Sequence, residues 1–426
     1  MDRDVIVIGG GIAGQEAALN IAGSGRSVLL VEKDLSIGGR MIHLSKVFPT
    51  LDCAACITTP KVSETARHPN IEIATYSEIE GIERRGDGTF EGTLVRRPRY
   101  VDEKACTGCQ DCEEACPVIV EDQYQYGMVG RKVAYVPFSI ANPRIAAIDL
   151  ENCILCGACE RACPADAIDF TQEERRETVT AKAVIVATGT NLFDHGVIKD
   201  YGLGTYPDVI TSMQMERQLV PTRPYNNVLR PSDGKTPERI AYILCTGSRD
   251  RVLGNPICSQ VCCMYSIKQG QLLMGALPLA DITIYYIDIR AFGKGFEEFY
   301  LQSVDMGVEF VKGKVGKIEE KEGGGLILRY EDMQEMRVKE AEHDLVVLSV
   351  GMLANPDAGR LFAGGALELD EIGYVKPADE LASPASTNLE GVFAAGTATG
   401  PMDIPDSIAS SGAAASAALA YLARRP

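Results

Sequence analysis

The run Cys106-x-x-Cys109-x-x-Cys112-x-x-x-Cys116-Pro117 returns as Cys153-x-x-Cys156-x-x-Cys159-x-x-x-Cys163-Pro164. No other feature narrows the fold as much. An iron–sulfur cubane needs four soft thiolates. Spacings of two residues let three come from one loop, and the fourth comes from the other copy of the run. The repeat therefore predicts two [4Fe–4S] clusters with crossed ligands. Cys106, Cys109, Cys112 and Cys163 hold one; Cys153, Cys156, Cys159 and Cys116 hold the other. Small or polar residues between the ligands, such as Thr107, Gly108, Gly157 and Ala158, leave backbone N–H groups free to point at sulfur. Zinc ribbons use paired CxxC without the third Cys and the terminal Cys-Pro, which disfavours zinc. The stretch from Cys116 to Cys153 is longer than a minimal two-cluster module needs. Tyr124, Tyr126 and residues 132–143 read as a loop elaboration, either a docking surface or surface decoration.

The chain has 426 residues, enough for two or three domains, and 14 Cys. Its net charge of −17 argues against a nucleic-acid partner, because phosphate binding needs a basic patch. The start, MDRDVIVIGGG, enters a strand directly, without the charged and apolar regions of a signal peptide. No apolar run reaches the roughly 18 residues of a membrane span. These features predict a cytoplasmic chain with no direct membrane insertion. There, clustered thiols signify metal or redox chemistry rather than disulfides.

Residues 4–8, DVIVI, read as a buried strand running into Gly9-x-Gly11-x-x-Gly14, with a helix over 15–22 and a second strand over 27–31 ending at Glu32. Gly9 allows the tight turn, Gly11 lets a pyrophosphate approach the backbone, and Gly14 lets the helix pack on the strand. The helix N-terminus faces the phosphates, and Glu32, followed by Lys33, can accept from a ribose hydroxyl. Residues 183–189, AVIVATG, form an apolar strand ending at Thr188 and Gly189. Residues 391–396, GVFAAG, form another, ending at Gly396 and Thr397 before a small-residue helix from about Ser407. These segments, with Gly39 and Arg40 of GGR, resemble the two-dinucleotide-domain flavoproteins, the glutathione/thioredoxin-reductase-like class, in which the N-terminal GxGxxG binds FAD. One departure is Thr397, where that class has Asp.

Residues 239–244, RIAYIL, read as a strand, followed by a helix from about 261 to 274 and a strand over 281–287. This is the position of a nicotinamide domain, yet no GxGxxG is present. Cys245, Cys258, Cys262 and Cys263 stand there instead, spaced C-x12-C-x3-C-C. Bottom-up, they suggest a third metal cluster, with buried structural thiols as the alternative. The stretches CTGSRD…NPICSQVCCMYSIK and GGRMIHLSKVFPTLDCAACITTPK, with the inserted CxxCxxCxxxCP pair, resemble the A subunit of heterodisulfide reductase along essentially the whole chain. The resemblance implies a [4Fe–4S] cluster on Cys245, Cys258, Cys262 and Cys263, three clusters in all, and a lysine near the flavin, matched by Lys268. From the residues alone, Lys268 is an ordinary surface helix lysine as readily. Larger members of that family carry further cluster domains at both ends. Here the electron exits those domains provide would be missing or would come from partners.

Cys53 and Cys56 remain, in LDCAAC. They are a redox dithiol for a ferredoxin-linked disulfide reductase, part of a cluster completed by another chain, or structural thiols. His43 and His68 are near them in sequence only. The predicted architecture is α/β: a two-dinucleotide-domain flavoprotein with an inserted α+β bacterial-type two-cluster ferredoxin domain. The FAD domain takes 1–97, 175–235 and 350–426, the insert 98–174, and a degenerate NAD-type domain 236–349. Pro-rich 221–237 is the expected hinge. The expected role is an electron-transfer subunit in which FAD links a two-electron couple to one-electron clusters, as in flavin-based bifurcation; a non-catalytic relay is the alternative. The resemblance implies heterodisulfide-reductase-like subunits, ferredoxin, and a hydrogenase or formate-dehydrogenase-type donor as partners in a hetero-oligomer, with dimerisation a further option.

Overall fold

The computed structural model describes residues 1–193, 198–222, 224–225 and 227–424. The chain forms two compact units, Met1–Ile42 with Cys56–Thr190 and Ala354–Pro426, and His43–Ala55 with Asn191–Leu353.

The first unit is built on a seven-stranded sheet. The strand Asp2–Ile8 lies between Val28–Val31 and Arg175–Val186, parallel to both, with Val5 opposite Val28 and Ala183. Ile71–Ala74 extends one edge, and Val392–Ala394 pairs with Val184–Val186. Strands this rich in Val, Ile and Ala, buried on both faces, are what a parallel sheet requires. One face is covered by the helices Ile12–Gly23 and Ile404–Ala423, whose Ala13, Ala17, Ala18, Ala414, Ala415 and Ala418 let the backbones come close. The first half of Arg175–Val186 turns antiparallel against Phe90–Arg96, which in turn pairs with Ser77–Arg84.

Residues 98–174 are inserted between these two antiparallel strands. Arg96 stands opposite Arg175, and Val101 bridges Ile168, so the insert leaves and re-enters at one point. Paired ends make such an insertion cheap for the host sheet. The insert has two five-residue helices, Asp111–Ala115 and Ala158–Ala162, and the hairpins Ile119–Glu121 with Gly130–Lys132 and Ala134–Tyr135 with Ala147–Ile148. Its stretch between Cys116 and Cys153 is not surface decoration. Val133, Ala134, Val136 and Ile145 are buried in the insert's core. The same stretch docks on the parent unit. Asn142 accepts from Ile37 N at 3.0 Å, and its own N–H donates to Ser36 Oγ at 2.8 Å. Tyr124, stacked on Phe138, donates to Ile42 O at 3.0 Å. Arg99, at the insert's start, is buried and reaches Leu35 O and Thr75 Oγ1.

The second unit has its own seven-stranded sheet, in the order Val209–Thr211, Leu345–Val350, Arg239–Thr246, Asp281–Tyr286, Glu309–Glu320, Leu326–Asp332, Arg337–His343. The first five are parallel; the last three form an antiparallel meander. The expected strand–helix–strand is present, with Cys262–Ala276 as its helix. Two sequence boundaries are corrected. Residues 191–235 belong to this unit rather than to the FAD domain, because Val209–Thr211 pairs with Leu345–Val350. His43–Ala55 joins it too, tied by buried polar bonds described below. The Pro-rich 221–237 therefore lies within the second unit; its Arg223 and Asn226 fall outside the described residues. Among the described residues no helix is long and apolar enough to cross a membrane.

Candidate functional site

The carboxyl ends of the first sheet's parallel strands gather the dinucleotide residues, where open α/β sheets bind ligands. Gly9 has φ +110°, and a Cβ there would lie 2.2 Å from Ala187 O. A Cβ on Gly14 would lie 1.8 Å from Gly9 O, so helix and turn touch backbone to backbone. Gly11 is different. A Cβ there meets nothing nearer than Gly39 Cα at 3.9 Å, and the helix it caps has no side-chain cap. Its first N–H groups are thus open to an anion. Arg40 donates to Thr190 O at 2.7 Å. Gly189 and Thr397 adjoin, a Cβ on the former falling 3.8 Å from the latter's Oγ1. A Cβ on Gly396 would lie 2.5 Å from Ala13 Cβ, bringing this turn against the helix start.

Thr188 Oγ1 is buried with no hydrogen-bond partner among the described residues. An orphaned hydroxyl beside an open glycine turn fits a bound dinucleotide. Glu32 is buried and accepts from Gly10 N at 2.7 Å and Asp34 N at 2.9 Å. Burial, reinforced by the Asp34 charge, pushes its carboxyl up to about 7. Lys33 points outward, 3.6 Å from Asp357. Two supports escaped sequence reading. Gln15 is fully buried, donating to Gly10 O at 2.8 Å, and Asn355 pins Thr188 O at 3.0 Å. A polar side chain in the first helix and another in a distant loop carry no motif.

The insert holds two cavities. One is lined by Cys106, Cys109, Cys112 and Cys163 with Val101, Ala146, Ala167 and Ile168. The other is lined by Cys116, Cys153, Cys156 and Cys159 with Val133, Ala134, Ile148 and Phe170. Each takes three thiols from one run and the fourth from the other. Leu155 N donates to Cys153 Sγ at 3.4 Å and Ala167 N to Cys163 Sγ at 3.3 Å. Burial, then the surrounding thiols, pushes Cys112 up to about 12. Such crowded, desolvated thiols favour a cation that would accept their charge. Among the described residues, no group of three or more His, Cys, Asp or Glu is gathered tightly enough to hold one metal ion.

In the second unit, Cys245 ends the strand Arg239–Thr246, Cys258 sits in the following loop, and Cys262 and Cys263 begin the helix, both buried. The loops around them are bent through the left-handed region at Cys245, Arg249 and Gln260, with φ of 59°, 58° and 60°. Backbone strain of this kind clusters at functional sites. Gln260 N donates to Cys258 Sγ at 3.3 Å. A hydrogen bond from Cys262, opposed by burial and helped by Arg249, brings the Cys245 thiol down to about 7. Hydrogen bonds to Cys245 and Cys263 push the Cys262 thiol up, and the bond from Cys262 lowers Cys263.

Lys268 is not on the surface; it is 1% exposed. Its ammonium pairs with Glu216 and donates to Lys46 O at 2.9 Å. Glu216 also accepts from Gln269 and, at 2.7 Å each, from Ser45 N and Oγ. Burial alone would raise the Glu216 carboxyl; Lys268, Gln269 and Ser45 more than offset this and hold it below the usual range. Burial pulls the Lys268 ammonium down, against Glu216. This network ties residues 45–46 into the second unit. Cys53 bridges Lys46 in that hairpin, and Cys56 is exposed in the helix Ala54–Arg67. Neither was separable from a structural pair by sequence.

Residues 3–415 match the family model described as pyridine nucleotide-disulphide oxidoreductase. The chain is 45% identical over 420 residues to the A subunit of the H2/formate:CoB–CoM heterodisulfide,ferredoxin reductase of Methanococcus maripaludis, covering 98% of this chain and 64% of that protein. It is 44% identical over 424 residues to the A subunit of the ferredoxin:CoB–CoM heterodisulfide reductase of Methanosarcina mazei, covering 99% and 53%. The chain thus spans less than two thirds of the length of these relatives. The thioredoxin reductase of T. acidophilum matches with a TM-score of 0.56 at 17% identity, covering 100% and 99%, which shows the two-dinucleotide-domain α/β fold. The chain belongs to the pyridine nucleotide-disulphide oxidoreductase family and, along almost all of its length, is similar to the A subunits of heterodisulfide reductases.

Proposed function

We propose that the chain is the iron–sulfur flavoprotein part of a heterodisulfide-reductase-like electron-transfer complex, holding one FAD and three [4Fe–4S] clusters. The observation that carries this reading is the pair of insert cavities, each lined by three thiols of one run and the fourth of the other. That crossing is what two cubanes in a ferredoxin-type module require. FAD supplies two-electron acceptance with one-electron release, and the clusters supply one-electron relays. Gly11 and the uncapped helix start receive the pyrophosphate, and the Thr188 hydroxyl is a free polar group of the cradle. Asn142 and Tyr124 fix the insert on the segment 36–42, next to Gly39 and Arg40. Cys245, Cys258, Cys262 and Cys263 hold the third cluster. Partner subunits, among them a ferredoxin or a hydrogen- or formate-oxidising donor as the relatives' names indicate, deliver and remove electrons.

Anaerobic analysis tests the reading: three cubanes predict about twelve iron atoms and one flavin per chain. About eight irons would remove the third cluster; zinc, or protein without flavin, would end the proposal. The turn after Ile243 carries Cys245 where a nicotinamide pyrophosphate would need glycine. The flavin of the isolated chain should therefore stay oxidised with NADH or NADPH alone. The exposed position of Cys56 supports a second reading, a dithiol that reduces a disulfide substrate. That reading expects Cys53→Ser to abolish turnover in the assembled complex and to spare iron content.

A further inference from the structure

The third cysteine set lies beside an ion pair that the dinucleotide fold itself does not call for. Arg249 follows Cys245 by four residues. Its backbone is held in the left-handed region, at φ 58°, by the bond from its N–H to Ile257 O at 2.8 Å. A bulky residue enters that region only when its surroundings impose it. Its guanidinium, about three quarters shielded, donates to Asp288 Oδ1 at 2.5 Å. Asp288 in turn touches the set: its carbonyl oxygen accepts from Cys263 Sγ at 3.7 Å. Its carboxylate also takes Arg290 Nε at 3.4 Å. Two guanidinium groups and one carboxylate are thus gathered beside the thiols, joined to the set where Asp288 meets Cys263. Guanidinium stays charged at any working pH, and its fork of donors suits it to grip a carboxylate.

We propose that Arg249 is a positioning residue of this site: a fixed positive charge, tied to Asp288 beside Cys263, that stabilises the reduced form of an iron–sulfur cluster held by Cys245, Cys258, Cys262 and Cys263. The inference rests on the assignment of those four thiols to a cluster. One-electron reduction adds one negative charge to the cluster. A cation nearby makes that addition easier and raises the midpoint potential; an anion lowers it. Local charge and hydrogen bonds to sulfur are among the terms that set such potentials. Arg249 and Asp288 therefore act with opposite signs, which a purely structural role for their ion pair would not produce.

The full chain, prepared anaerobically, is assayed for iron and titrated potentiometrically while the cluster signals are followed by electron paramagnetic resonance. The third-site signal is the one that Cys258→Ser removes. Arg249→Gln is expected to move its midpoint to more negative potential, Arg249→Lys to leave it near the parent value, and Asp288→Asn to move it to more positive potential. If Arg249→Gln sheds the cluster, Asp288→Asn alone decides, because its carboxylate is half exposed and not needed to fill the core. Full iron content with unmoved midpoints, or both variants shifting in one direction, overturns the inference. About eight irons in the parent protein overturns the cluster assignment first, and this inference with it.

Discussion

Two turns in this molecule occupy the same place in the same kind of sheet and do different things. After Asp2–Ile8 the chain passes through Gly9, Gly10 and Gly11 into a helix whose first N–H groups have no side-chain cap. Arg239–Thr246 bends at Cys245 near its end, and the chain then passes through a loop bent at Arg249 into a helix that begins with two buried cysteines. The first turn offers backbone donors and space, the chemistry of a phosphate site. The second offers thiols beside an ion pair, which we propose serve a metal cluster. A parallel sheet with a crossover helix thus specifies where a ligand goes, and the turn residues specify which.

The largest effect should come from filling the first turn. Gly11→Val adds bulk on the open side, with no backbone atom within 3.4 Å of its Cβ. The unit should still fold by circular dichroism, with flavin content falling from one per chain to nearly none. Retained flavin would mean that the cofactor is held elsewhere. The matching change in the second turn, Cys262→Ser, should remove about four irons and leave flavin in place. In the insert, Cys116→Ser should remove the cluster of the Cys153 run and Cys163→Ser that of the Cys106 run. Loss in the opposite pattern would show that the runs do not cross.

Smaller effects separate how the two units are held. The first core is apolar and rich in alanine; the second contains a buried ion pair. Removing one member of such a pair leaves an uncompensated charge and costs about 3–5 kcal/mol. Glu216→Gln should destabilise by about that much in denaturant titration, and Glu216→Gln with Lys268→Met should recover most of the loss. A double variant as unstable as the single would place the cost in the lost bonds to Ser45. Smallest is a pH effect. Burial, with the Arg239 charge, brings His343 down to about 4, and it lies against Tyr285 at 3.0 Å. The unfolded imidazole titrates near 6.5, so between the two values the unfolded state binds the extra proton. Stability is full above about pH 6.5 and falls as pH drops toward 4, by at most about 3 kcal/mol. His343→Phe should flatten that slope.

Short-range patterns were readable in the order of residues alone. The two cysteine runs, the glycine turn at Gly9–Gly14 and the strand ends at Gly189 and Gly396 each place their chemistry within a few residues, where backbone geometry alone decides it. The crossing of Cys116 and Cys163 is expected from the spacing of the runs, and the folded insert brings those thiols to the opposite run's cavity. What the tertiary structure decided depends on partners far apart in sequence. Lys268 looked like any helix lysine until Glu216, Ser45 and Lys46 closed around it. The segment His43–Ala55 left the unit of its sequence neighbours because Glu216 holds Ser45 across 171 residues. The stretch between the cysteine runs proved to be core and dock, through Asn142 and Tyr124 reaching back to Ser36 and Ile42. A buried polar group costs free energy unless it is paired, and only the folded chain determines which distant group supplies the pair.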